Sequence, residues 1–152
     1  MGKETVNDLV KFLLPYPDSV KAAALGLRDF VWDLYPEANE LIYDNYYAVA
    51  VGWSPTDKAG DVFCSIAVYN QYVNFGFLRG TEIPDPQEML IGDGSLYRYI
   101  RIKDRDDFPD QYMKQLLGWA YENSLSRLKP VKKPVEGQTI VKAVAPVKRR
   151  PV

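Results

Sequence analysis

The chain predicts a two-layer α+β domain: an antiparallel five-stranded sheet packed by two N-terminal helices and one C-terminal helix. Apolar residues step by three or four before Pro36 and again after Pro109, whereas from Glu40 to Ile102 the period shortens toward two and Tyr, Val, Phe and Ile displace Ala and Leu. Short turn pairs break the middle region into runs, which favours pairing of consecutive strands. With 47% hydrophobic and 13% aromatic residues in 152, the chain can fill one core and does not have a disordered composition.

Thr5 followed three residues later by Asp8 imitates a capping box, and Val6, Leu9, Val10 and Leu13 then form the apolar stripe of a short first helix that Pro15 stops. Pro15-Tyr16-Pro17 is a stiff connector. Asp18 or Ser19 can cap the second helix, whose stripe is Val20, Ala24, Leu27, Val31 and Leu34, and Pro36 ends it near Tyr35. Strands are expected at about 40–44, 47–53, 62–69, 72–78 and 96–102, with Asp44-Asn45, Pro55–Asp61 and Asn70-Gln71 as turns. The Arg79–Ser95 connection is long for a compact domain, and loops of that length are more often functional or self-packed than idle. Pro109 suits the first turn of the last helix, which runs through Tyr112, Met113, Leu116, Leu117, Trp119, Ala120 and Tyr121.

Residues 1–128 form the expected domain. Beyond Leu128 the period is lost and Pro recurs, so 129–152 is expected to be a disordered tail rich in Lys, Pro and Val. Seven basic residues stand there against Glu136 alone, a charge of +6; of the chain's 19 basic and 20 acidic residues, 12 and 19 remain in a body near −7. Such a tail can contact nucleic acid without sequence preference, although the solubilising alternative is the simpler one and the tail has no aromatic residue to stack on bases.

The sequence has no histidine, which removes the commonest general base and zinc ligand and every Ser-His or Cys-His arrangement. The single cysteine, Cys64, cannot form an internal disulfide. No run approaches the roughly 20 apolar residues of a membrane span. A cytoplasmic, non-enzymatic binding protein without a resident cofactor is the expectation, as a monomer or homodimer with no membrane contact.

Pro36–Tyr43, the aromatic strands after it, Gly80-Thr-Glu-Ile-Pro-Asp-Pro86, and Leu90-Ile-Gly-Asp-Gly-Ser-Leu-Tyr-Arg98 leading to Ile100-Arg-Ile102 together resemble the YdhG-like family, a bacterial family largely of unknown function. The resemblance covers about Val6 to Leu128. It implies helices packed on an antiparallel sheet and, because one member is described as a frataxin-like iron chaperone, weak handling of iron or another divalent ion. It supplies no catalytic residues. The Tyr46-Tyr47 pair and the basic tail depart from the family pattern.

Ion handling without histidine needs clustered carboxylates. Asp29 and Asp33 share a helix face, and Glu37 and Glu40 follow the helix end, so these four are the candidate ligands; ordinary solvated charge is the competing account. Asp104, Asp106, Asp107 and Asp110 are explained by the N-terminus of the last helix. Gly92-Asp-Gly94-Ser95 could form a phosphate nest, but a turn into the last strand accounts for it better. For a small ligand or protein partner, the candidates are Tyr43, Tyr47, Trp53 and Tyr69 on the sheet with Arg79 and Arg98 near the strand ends, together with the 79–95 loop; Phe63 and Phe75 belong to the same aromatic set. Core packing and cross-strand pairing are the alternative role for these aromatics.

Overall fold

The computed structural model describes residues 6–130 and 134–148. Helix α1 spans Asn7–Leu13, α2 Asp18–Leu34 and α3 Asp110–Ser126. The strands are β1 Asn39–Asp44, β2 Val49–Ser54, β3 Cys64–Val68, β4 Val73–Phe77, β5 Arg98–Ile102 and β6 Thr139–Val144. They form one mixed sheet in the order β5-β4-β3-β2-β1-β6. The α+β class and the antiparallel meander of β1 to β5 agree with the sequence reading. The sixth strand corrects it.

That strand arises where a disordered tail was expected. Thr139–Val144 pairs in parallel with β1, matching Glu40 to Thr139, Leu41 to Ile140 and Ile42 to Val141, before a bulge shifts the register. Composition argued against order there because the segment has too few apolar groups to fold by itself. It gains order by completing an edge whose polar groups already need partners. Asn39 receives the Gln138 N–H at 3.0 Å and donates to the Val135 carbonyl at 2.7 Å, and the Thr139 hydroxyl donates to Glu40 at 2.9 Å. Farther along, Lys148 forms an ion pair with the buried Asp44.

Alternation divides each strand between two faces. Ile42, Val49, Val51, Trp53, Cys64, Ile66, Val68, Val73, Phe75, Phe77, Ile100 and Ile102 share a core with Leu9, Phe12 and Leu13 of α1, the stripe of α2, and Met113, Leu116 and Leu117 of α3. All three helices therefore cover this one face. Among the described residues the other face carries no helix.

The helix ends differ in detail from expectation. Thr5, the expected cap of α1, lies outside the described residues, and α2 starts at Asp18 behind Pro17 without a side-chain cap. Among the described residues no helix is long and apolar enough to cross a membrane.

Candidate functional site

The helix-free face is built from the strand positions opposite the core. One cross-strand row reads Tyr43, Ala50, Ala67, Asn74, Arg101; the next reads Leu41, Gly52, Ser65, Gly76, Tyr99. The middle strands thus offer a floor of small residues, and bulk stands at the margins. Neighbouring strands lie about 4.8 Å apart, so the first row spans about 19 Å.

Four planar groups line the β4–β5 margin. The Arg101 guanidinium lies 3.9 Å from the centre of the Tyr72 ring and 6.0 Å from that of Tyr99, and Tyr99 stacks on Tyr97 at 5.6 Å. Asn74 holds the guanidinium by accepting a 3.1 Å hydrogen bond from Nε. Tyr69 joins through a tilted contact with Tyr72 at 5.2 Å. A two-residue turn places these last two tyrosines: the Tyr69 N–H donates to the Tyr72 carbonyl, and Tyr69 follows the inward-facing Val68 while Tyr72 precedes the inward-facing Val73, so both turn outward.

Tyr97 is set deepest. Its ring lies over Gly76, where any Cβ would overlap the phenol, and it shares a hydrogen bond with Ser65. Burial pushes the Tyr97 phenol up to about 12, and the neighbouring Tyr69 and Tyr99 phenols add to the rise. Across the floor, burial also raises Tyr43, whose hydroxyl has no hydrogen-bond partner among the described residues.

No helix-free strand position in these rows is acidic. The two carboxylates of β1 both point to the core side, Glu40 to Arg28 and Asp44 to Lys148. Arg101, exposed, is the charge on this face's rows.

The six candidate ligand residues do not converge. Trp53 is 0% exposed and belongs to the core, because its partners Glu40 and Cys64 face inward at the same register. Tyr47 is in the β1–β2 turn and not in a strand, 53% exposed and stacked on Tyr46 at 4.7 Å. Only Tyr43 and Tyr69 occupy the helix-free face. Arg79 pairs with Glu82 at 3.1 Å, and Arg98 donates to the carbonyls of Gly94 and Tyr97 at 2.6 and 2.7 Å. These two arginines brace the long loop. Phe63 and Phe75 are core.

The 79–95 loop packs on itself around Asp85. That carboxylate accepts the N–H groups of Met89 and Leu90 at 3.2 and 2.9 Å and the Tyr112 hydroxyl of α3. Burial raises the Asp85 carboxyl, but these three donors outweigh it and hold the group below the usual carboxylate range. Ile91 then pairs with Tyr99, and Gly92 turns at φ 131°, a conformation that favours glycine. Gly92–Ser95 is thus the turn into β5.

The four candidate ion ligands are likewise split. Asp29 and Asp33 are exposed on α2, and Glu37 accepts the Tyr121 hydroxyl at 2.9 Å. Glu40 is 0% exposed and bound twice by Arg28, at 2.6 Å from Nε and 3.1 Å from Nη2. Its expected place on a solvated ridge is wrong, since strand pairing turns it inward beside Ile42. Among the described residues no group of three or more Cys, Asp or Glu side chains is close enough to hold a metal ion. In the second acidic set, Asp104 caps a 3-10 turn and Asp110 binds Arg105 through two contacts of 2.7 and 3.0 Å. Cys64 is fully buried, and that burial pushes its thiol well up, away from the thiolate needed for reactivity.

Tyr72, Tyr97, Tyr99 and Arg101 were outside the candidate set. The signal for the last three was the phase of β5, where Ile100 and Ile102 point inward and the odd-numbered residues between and before them point out; for Tyr72 it was its place next to the inward-facing Val73 of β4. Comparisons with known protein families, curated proteins and solved structures find no match.

Proposed function

We propose that this protein is a non-enzymatic binding module and that its binding surface is the helix-free face, centred on Tyr69, Tyr72, Tyr97, Tyr99 and Arg101. The observation that carries this reading is the exposed Arg101 guanidinium stacked 3.9 Å over Tyr72 on a face that no helix covers. Tyr contributes a large rigid contact area at little entropic cost, and Tyr and Arg are both enriched at recognition hot spots. The non-enzymatic part is supported by the lack of histidine, the inert Cys64 thiol and the engagement of Glu40, Asp44 and Asp85 in structural contacts.

A nitrogen-15 NMR screen with a mixed fragment library tests it. Perturbed amides should concentrate at Tyr43, Ala67, Tyr69, Tyr72, Asn74 and residues 97–101. Shifts confined to the helix layer, or none at millimolar fragment, would remove the proposal.

Iron or divalent-ion handling is the second reading, drawn from the YdhG-like resemblance and favoured by exposed Asp29 and Asp33 one helical turn apart. Without Glu40 it has fewer ligands than the sequence suggested. Ferrous iron titrated calorimetrically should then bind weakly, with the heat lost in Asp29→Ala/Asp33→Ala; a silent titration would exclude it.

A further inference from the structure

We infer that the helix-free face takes the unpaired bases of single-stranded nucleic acid, stacking them along the Tyr72–Arg101–Tyr99–Tyr97 margin while Arg101 meets phosphate. This inference rests on the reading of that face as the binding surface and names its ligand.

The first argument is the kind of contact on offer. Of the exposed aliphatic side chains, Val10, Leu14, Met89, Leu125 and Val147 lie on or beside helices, in the long loop or near the C-terminus, Val144 stands on β6 opposite Asp44, and Ile91 borders this face through its bridge to Tyr99; none of them stands in the two central rows. What those rows present is ring planes at the margin and Ala50, Ala67, Ser65 and Asn74 on the floor. A protein partner would need an apolar patch to bury at the centre of its interface. A base needs a π-face and a nearby cation, and stacking of this kind is tolerant of sequence.

The second argument is charge. The body is acidic, yet the rows contain Arg101 and no carboxylate, because Glu40 and Asp44 are turned into the core and neutralised there. Asp29, Asp33 and Asp18 lie on α2, in the opposite layer. A packed layer is about 10 Å thick, about one Debye length in physiological salt, so their repulsion is largely screened at this face. A duplex would hide its base faces, so single strands are the form that fits.

The full-length chain titrated into a fluorescein-labelled ten-nucleotide oligouridine, followed by anisotropy at two salt concentrations, tests this. Saturable binding is expected, weakened about 5- to 150-fold in Tyr99→Ala, from the usual worth of one base–aromatic stack. Arg101→Ala should weaken binding and lower the salt slope by about one, whereas Lys21→Ala on the helix layer should leave both unchanged. Tyr99→Leu keeps apolar area but not the ring, so its loss of binding at an unchanged melting temperature separates stacking from folding. A duplex of the same length should not compete. Uridine monophosphate binding as tightly as the oligonucleotide would overturn the strand in favour of a free nucleotide. No binding, or binding indifferent to Tyr99→Ala and Arg101→Ala, would overturn the inference altogether. If fragments still map to the face in that case, the binding surface stands and its occupant is a polypeptide or small molecule.

Discussion

Glu40 shows how one side chain can satisfy a helix-based argument and belong to a strand. Its carboxylate is gripped by Arg28, whose guanidinium also lies 5.3 Å from the centre of the Trp32 ring, and it takes a third hydrogen bond from Thr139. Removing one member of a buried pair strands the other, so Glu40→Leu should cost about 3–5 kcal/mol in urea unfolding, while Arg28→Met/Glu40→Leu should cost less than either single change. A double change as costly as the sum of the singles would show the pair is not coupled. The pairing was legible in part: Arg28 falls between Ala24, Leu27 and Val31 on the apolar stripe, and Glu40 shares the phase of Ile42. What was not legible is that two charges in core phase belong to one another, since that depends on the packing of α2 over β1. Trp53 failed for the same kind of reason. Strand alternation identifies two sets of residues, but only the position of the helices decides which set is covered. Gly76→Ala probes the open side: its Cβ would displace Tyr97, costing about 1–3 kcal/mol and scattering the stack, whereas the same change at Gly94, which faces open space, should leave folding intact.

At the scale of elements, β6 shows what composition cannot foresee. A segment too polar to fold alone becomes ordered when a neighbouring edge presents the backbone ladder and buried polar groups that need it. Truncation after Leu128 would leave Asn39, Glu40 and Asp44 without contacts from residues 135–148, and we expect a loss of at least about 3 kcal/mol, from the usual cost of unpaired buried polar groups, measured as a lower urea midpoint. A truncated chain as stable as the whole one would make the strand dispensable. The 79–95 loop is the opposite case: its length marked it as either functional or self-packed, and the structure shows it packed on itself. Asp85 organises it and ties it to α3 through Tyr112. Because the folded Asp85 carboxyl is held below its ordinary value of about 4, its contribution is present above that value and is lost as pH falls through the lower, folded value. Asp110, lowered by its hydrogen bonds from Arg105, acts in the same direction. Asp85→Asn should flatten the fall in stability below about pH 4 and loosen amide protection at Met89 and Leu90.

The whole molecule is an asymmetric sandwich, with helices on one side of the sheet and rings on the bare side, and its buried and half-buried titratable groups lie in both. Those groups give it a definite alkaline response. Burial holds the Cys64 thiol well above its ordinary value, and burial first, then neighbouring groups, raises Tyr35, Tyr97 and Tyr121 to about 12 each; the hydrogen bond to Glu37 adds to the rise at Tyr121, and the one with Ser65 opposes it at Tyr97. In every case the fold favours the protonated form. Below the ordinary values of about 8.5 for the thiol and 10 for the phenols, folded and unfolded chains bind the same protons and stability does not depend on them. Above those values the unfolded chain releases its protons first, so stability falls with rising pH until the folded groups titrate in turn. The urea midpoint should therefore begin to drop near pH 9 and fall more steeply beyond pH 10, with at most about 1.4 kcal/mol per pH unit from each buried group and less from the partly exposed Tyr35 and Tyr121. Cys64→Ala should delay the onset, and Tyr97→Phe should make the later slope shallower without moving the onset. Adding oligouridine at neutral pH should raise the urea midpoint of the parent chain and raise it less in Tyr99→Ala, because a ligand of the native state shifts the unfolding equilibrium only where it binds. A midpoint level through pH 11 would mean that these rings and the thiol are far more open to water than the packing of the sheet requires.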